Sequence, residues 1–177
     1  VSIRNHCCPG CGRGILNRLI AEVIKEKVYK KMPILEVSID CSEHERQQNG
    51  DKIQTAHGRA AATATGVKVA RPDLLSIAYQ GDGDAYVIGL AETLNAAYRN
   101  EPITVFIINN NNFAMTGGQM SWTTMPGQVT TTSVHGRDPA LTGMPIRVPE
   151  FAATFPDVAY VARGSVHSAK EINRLKG

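Results

Sequence analysis

Nowhere in the 177 residues is there an apolar run of 18 or more, so no segment has the length and character of a membrane-spanning helix. No basic stripe exists either. The balance of 19 Lys and Arg against 16 Asp and Glu leaves only +3, too little to argue for a nucleic-acid partner. The charged-then-apolar opening of a secretory signal is missing, and the expectation is a cytoplasmic protein. No Gly-Lys-Ser/Thr occurs, which excludes a Walker A loop. A dinucleotide fingerprint begun at Gly81 would need its third glycine at Tyr86. Repeats and low-complexity tracts are lacking apart from Asn109–Asn112. The 42% hydrophobic and 20% charged content is that of an ordinary folded domain. A chain of this length buries roughly 70% of its unfolded surface and needs no disulfides. One domain over 1–177 is expected.

Cysteine is scarce but clustered. Cys7, Cys8 and Cys11 lie within five residues, and Cys41 stands alone. Without an export signal this spacing reads as metal binding or redox chemistry, not a disulfide frame. The chain opens on Val1. Near its other end, Ser168-Ala-Lys-Glu171 has the form of a capping box shortly before Gly177. The expectation drawn from both ends is a domain truncated at its C-terminus.

Hydrophobic periodicity predicts an alternation of helices and strands. Ile15, Leu16, Leu19, Ile20, Val23 and Ile24 predict a helix over 14–29. Residues 34–39 read as a strand and 43–54 as a polar loop. The Ala-rich stretch 57–70 predicts a helix packed closely on a sheet, with His57 at its N-terminus, where an anion is favoured. Residues 74–79 read as a strand, 85–99 as a helix, and the almost wholly apolar 103–108 as a strand buried on both faces. A long Gly/Thr/Pro-rich stretch, 109–149, reads as structureless and functional. The fold class is α/β, a mostly parallel sheet with helices on both faces.

Two short motifs stand at predicted strand ends. Gly81-Asp82-Gly83 follows one strand and Asn109-Asn110 the next, with the 25 residues 84–108 between them. That interval holds one turn, one helix and one strand. A parallel crossover therefore brings Asp82 and Asn110 to the same edge of the sheet, where open α/β sheets bind ligands. A carboxylate, an amide oxygen and a backbone carbonyl are hard donors suited to a Mg²⁺ that also keeps water and phosphate. Glycines let the backbone approach a diphosphate closely. Gly-Asp-Gly alone is more often a simple turn; its spacing to Asn-Asn gives it meaning.

This spacing resembles the thiamine diphosphate signature. Gln80-Gly-Asp-Gly-Asp84, Ile88-Gly89, Asn95-Ala-Ala97, Met115-Thr-Gly-Gly-Gln-Met120, Cys8-Pro-Gly-Cys-Gly12 and His57-Gly-Arg-Ala60 resemble the thiamine-binding (beta-type) subunit of 2-oxoacid:ferredoxin oxidoreductases. Gly127-Gln-Val-Thr-Thr-Thr132, Gly136-Arg-Asp138 and Tyr160-Val-Ala-Arg-Gly-Ser165 are most similar to the 2-oxoisovalerate branch. The resemblance implies the thiamine diphosphate-binding fold and oxidative decarboxylation of a 2-oxoacid to an acyl-CoA, with ferredoxin as acceptor. It implies Mg²⁺ held by the Asp82 and Asn110 side chains and the Asn112 carbonyl. Gly81, Asp82, Gly83 and Asp84, with Asn110 to Thr116 (Met115 included), would line the diphosphate. Ser42 and His57 would lie near the cofactor, His57 as a candidate catalytic residue. The Glu that activates the cofactor is implied to lie in a partner subunit of the alpha or gamma type. Trp122 departs from the pattern, which has Pro there, so the indole is expected either to narrow the site or to pack in the long loop.

For Cys8, Cys11 and Cys41 the resemblance implies three ligands of a [4Fe–4S] cluster, the fourth lying beyond Gly177. Thiolates suit such clusters. Cys41-Ser-Glu-His44 leaves open a Cys₃His zinc set, and free thiols are the remaining alternative. Cys7 has no assigned role. Two other functions stay open: a non-redox thiamine-dependent decarboxylase or carboligase, which has no use for the cysteines, and a zinc-stabilised interaction module, which leaves the Gly-Asp-Gly/Asn-Asn pair to chance.

Overall fold

A computed structural model of the protein describes residues 8–27, 32–39 and 51–176. Its frame is a sheet of four strands, β1 (Pro33–Val37), β2 (Asp51–Gln54), β3 (Leu75–Gly81) and β4 (Thr104–Ile108), in the order β2-β1-β3-β4. All three pairings are parallel. Register sets Leu35 beside Ile77 and Tyr79 beside Phe106. Because successive strand residues face opposite ways, this register divides the core in two. Leu35, Val37 and Ile77 pack with Phe106 and with Ile24 of helix α1 (Gly12–Lys27) on one face. Ala78 meets Ala60 and Ala64 of α2 (Ala60–Ala70) on the other. Helices on both faces are what the sequence predicts. The alanines matter because α2 comes close enough for Ser76 Oγ of β3 to donate to the Ala64 carbonyl at 3.0 Å.

One fully buried residue breaks the apolar pattern. Glu36 of β1 has no exposure; its Oε1 lies 2.9 Å from Ser76 Oγ, whose one proton is shared with the Ala64 carbonyl, and its Oε2 accepts from the Ile77 amide at 3.1 Å. Burial pushes its carboxyl above the ordinary value, and the two hydrogen bonds oppose that rise.

The structure departs from the sequence-based expectations in five places. Residues 51–54, expected in a loop, form edge strand β2. Three of its four residues are exposed, so a polar sequence is tolerated while β1 supplies the ladder. β4 lies at the opposite edge and is half-buried, not covered on both faces. The Ala-rich helix begins at Ala60; His57 and Gly58 form a turn before it, with Gly58 at φ +78°. The helix expected over 85–99 is two pieces, a π-helical turn (Asp84–Ile88) and α3 (Leu90–Tyr98). They part at Gly89 because its backbone lies against that of Gly58: a Cβ on Gly89 would meet the Gly58 carbonyl oxygen at 2.3 Å.

Finally, 109–149 is not structureless. It holds a hairpin of β5 (Asn112–Phe113) and β6 (Gln119–Met120), a short helix α4 (Pro139–Thr142) and the start of α5 (Val148–Ala152). The last helix, α6 (Ala169–Lys176), starts as the capping box predicts, with Ser168 Oγ accepting from the Glu171 amide at 3.3 Å. Lys176 ties it to Glu22 and Glu26 of α1. Among the described residues no helix is long and apolar enough to cross a membrane.

Candidate functional site

The carboxyl ends of β3 and β4 are adjacent, with Gly81 opposite Ile108. Asp82 follows β3 directly, and Asn110 lies two residues past β4. The Asn110 amide donates to Asp82 Oδ1 at 3.4 Å. The two motifs therefore meet, as the crossover predicts. Asp82 is only 1% exposed, so its charge needs partners. Oδ2 accepts from Ser121 Oγ at 2.6 Å and from Thr123 Oγ1. Those hydroxyls come from the turn after β6.

The turn at Asn110–Asn112 offers further oxygens. Asn110 Oδ1 accepts from the Asn112 amide at 3.3 Å, an Asx turn on an exposed residue. Asn111 adopts the left-handed conformation at φ +62°, which Asn tolerates better than most residues. Asn112 Oδ1 is buried without a hydrogen-bond partner among the described residues, an acceptor in want of a donor or a cation. Phe113 then packs its ring on Gly83. A Cβ there would lie 2.3 Å from the ring, so only glycine fits.

Asp84 is equally buried but serves a different set of groups. Its Oδ1 accepts from Ser38 Oγ at 2.7 Å and from the Gly58 amide at 2.5 Å; its Oδ2 accepts from Gln80 Nε2 at 2.7 Å. His57 Nδ1 lies 2.5 Å from the same Oδ1, a close contact without the geometry of a directed hydrogen bond. Asp84 thus fastens the ends of β1 and β3 to the turn that opens α2. The anion expected at the start of that helix is the protein's own. His57, half-exposed and edge-on to Phe113 at 6.3 Å, is left at the rim.

The profile of the thiamine pyrophosphate enzyme C-terminal TPP binding domain matches residues 36–175, which contain every one of these groups. The chain belongs to this family. Among its relatives, ketoisovalerate oxidoreductase subunit VorA of Methanothermobacter thermautotrophicus is 40% identical over 172 residues, covering 97% of this chain and 36% of that protein. The 2-oxoglutarate synthase subunit KorB of Archaeoglobus fulgidus is 33% identical over 168 residues, covering 94% of this chain and 61% of that one. A 2-oxoglutarate:ferredoxin oxidoreductase from Magnetococcus marinus, solved with 2-oxoglutarate, coenzyme A and succinyl-CoA bound, superimposes with a TM-score of 0.79 at 28% identity, over 88% of this chain and 53% of that one. This thiamine pyrophosphate domain therefore spans between about a third and three fifths of these proteins. The matches bear out the resemblance to the thiamine-binding subunits of 2-oxoacid:ferredoxin oxidoreductases, with the ketoisovalerate branch among them.

Within the domain, the hard-oxygen set of Asp82, Asn110 and Asn112 suits Mg²⁺. Met115 and Thr116 sit on the β5–β6 turn, where Thr116 Oγ1 reaches the Phe113 carbonyl at 3.3 Å. Gly117 and Gly118 complete that turn at φ +116° and +84°. Trp122 is 45% exposed. Cys8 and Cys11 are exposed beside the start of α1, on one turn closed by the Cys11 amide and the Cys8 carbonyl at 3.0 Å. Cys7, Cys41, Ser42 and His44 lie outside the described residues. Among the described residues no group of three metal-ligating side chains forms.

Sequence reasoning missed Ser121, Thr123 and Gln80 as partners of the two aspartates. The clustered hydroxyls of Ser121, Thr123 and Thr124 were the available signal.

Proposed function

We propose that the chain is the thiamine diphosphate-binding part of a multi-subunit oxidoreductase that decarboxylates a branched-chain 2-oxoacid such as 2-oxoisovalerate to an acyl-CoA, passing electrons to ferredoxin. The observation that carries this reading is the meeting of Asp82 and Asn110 at the ends of β3 and β4, in a chain 40% identical to a ketoisovalerate oxidoreductase subunit. CoA and ferredoxin enter through the relatives' names.

Asp82, Asn110 and Asn112 would hold Mg²⁺, and through it the diphosphate. When bound, thiamine diphosphate supplies the carbon nucleophile for the 2-oxo carbon and a sink for the electrons left when CO₂ departs. The chain's residues bind and orient. Gly83 and the Asn111 turn bring backbone close to the metal site, and Asp84 holds His57 at the rim, where it would face cofactor or substrate. Cys8 and Cys11 carry soft donors for an iron–sulfur cluster completed by Cys41 and a further ligand. A non-redox thiamine enzyme has no use for this Cys-x-x-Cys turn. Met115, Trp122, Met125 and Val134, all exposed in the segment around the site, suit coverage by the pyrimidine-binding partner subunit.

Asp82→Asn is the test. The amide oxygen keeps the Ser121 and Thr123 bonds, so the fold should survive. Loss of the anion should weaken Mg²⁺-dependent thiamine diphosphate binding by more than the roughly 10–100-fold that an outer partner is worth. Wild-type affinity of Asp82→Asn by titration calorimetry would remove the metal-site assignment. Visible absorbance of anaerobically purified protein checks the cluster separately; colourless protein holding zinc would favour the Cys₃His set.

A further inference from the structure

Asp82 could present either oxygen to a metal, and the surrounding hydrogen bonds choose between them. A carboxylate oxygen has two lone-pair sites. Both on Oδ2 are taken, by the hydroxyls of Ser121 and Thr123. Ser121 Oγ also accepts from the Thr123 amide at 3.1 Å and lies 2.6 Å from Thr123 Oγ1, so the two hydroxyls form one cluster against Oδ2. Among the described residues, Oδ1 accepts only the long 3.4 Å bond from the Asn110 amide. One lone pair of Oδ1 therefore remains, on the side of the Asn110–Asn112 turn.

The turn that supplies the hydroxyls is itself clamped. Arg137 is 3% exposed, and among the described residues its hydrogen bonds go to carbonyls. Its Nη1 donates to Thr124 at 2.6 Å, Trp122 at 3.0 Å and Ser121 at 3.5 Å; Nε donates to Gly143 and Nη2 to Thr142, each at 3.2 Å. Thr124 carries the clamp to the other motif. Its Oγ1 accepts from the Ser121 amide at 2.9 Å and donates to the Asn111 carbonyl at 2.6 Å. One turn thus grips both halves of the site.

We propose that Ser121 and Thr123, locked from behind by Arg137, are positioning residues that turn Asp82 so that Oδ1 alone faces the metal. The inference rests on the reading of Asp82 as a Mg²⁺ ligand. Outer partners of this kind orient a ligand in advance, and their loss typically lowers metal affinity about 10–100-fold.

Mn²⁺ in place of Mg²⁺ gives a direct readout, because free Mn²⁺ is counted by electron paramagnetic resonance. The measurement uses the intact protein with any co-purifying subunits, at saturating thiamine diphosphate. Thr123→Val keeps the shape and removes the hydroxyl; it should lower Mn²⁺ affinity about 10–100-fold. Thr123→Ser restores the hydroxyl and should bind within a factor of a few of wild type. Arg137→Lys, unable to span five carbonyls, should weaken binding in the same direction. If Arg137→Lys fails to fold, the Thr123 pair still decides. Equal affinity of Thr123→Val and Thr123→Ser would overturn the positioning role and leave the metal site standing. Absence of thiamine-dependent Mn²⁺ binding in the wild type would remove the metal site, and the proposal with it.

Discussion

Asp82 and Asp84 stand two residues apart, both buried, yet their oxygens answer to different partners. Asp82 is held by two hydroxyls and keeps an open lone pair, whereas Asp84 has Ser38, Gly58, Gln80 and His57 about it. Their asparagine variants should part accordingly. Asp84→Asn exchanges an anion for an amide whose NH₂ group meets donors, and should cost about 2–3 kcal/mol in urea unfolding. Asp82→Asn should lose cofactor before it loses stability. Glu36 titrates with its own sign. Burial raises its folded pKa above the unfolded value of 4.5, so the folded state holds the proton more tightly. Its contribution to stability is full below pH 4.5 and is lost as pH rises through the raised folded value. Glu36→Gln should flatten that decline. Equal slopes for both proteins in denaturant melts across this range would refute the assignment.

Among the elements, two glycine contacts decide where chain segments meet. Gly89 ends the π-helical turn and touches the Gly58 backbone, while Gly83 lies under the Phe113 ring. Neither Gly83 nor Gly89 has a positive φ, at −63° and −105°, so space is what excludes a side chain. Gly89→Ala meets backbone, which yields little, and should cost about 1–3 kcal/mol. For a domain of this size that is a fall in thermal midpoint of about 2–4 °C per kcal/mol. Gly83→Ala meets only a ring, so Phe113→Leu in the same chain should recover part of its loss. Without such recovery, the Phe113 contact is not the cause.

At the scale of the whole molecule, the sheet presents its site at the carboxyl ends of β3 and β4, beside a segment with many exposed apolar side chains. Met115, Trp122, Met125, Val129, Val134, Leu141 and Met144 are all exposed, and all lie in the segment that surrounds Asp82. Under the proposed function, a cofactor bound here would be enclosed on one side by this chain and on the other by a partner subunit. The chain alone, given Mg²⁺, thiamine diphosphate, 2-oxoisovalerate, CoA and ferredoxin, should show no turnover, and adding the partner subunits to a version that spans the full length of its relatives should restore it. Robust CoA-dependent ferredoxin reduction by the chain alone would place the activating Glu here.

The pairing of Gly81-Asp82-Gly83 with Asn109-Asn110 was legible in the sequence. An apolar strand, a helical interval and a second apolar strand dictate a parallel crossover, and a parallel crossover leaves both ends on one edge. The Ala-rich helix and its close approach to the sheet were legible for a similar reason, since local composition sets how near two backbones can come. What the tertiary structure alone decided were contacts between residues remote in the chain. β2 is a strand only because β1 lies beside it. The helix after β3 breaks at Gly89 because Gly58, 31 positions earlier, occupies the space. Ser121 and Thr123 lie 39 and 41 positions from Asp82, and nothing in local periodicity marks a hydroxyl that will meet a buried carboxylate. Periodicity reports what neighbours along the chain share; the orientation of Asp82 depends on which groups folding brings across the space between them.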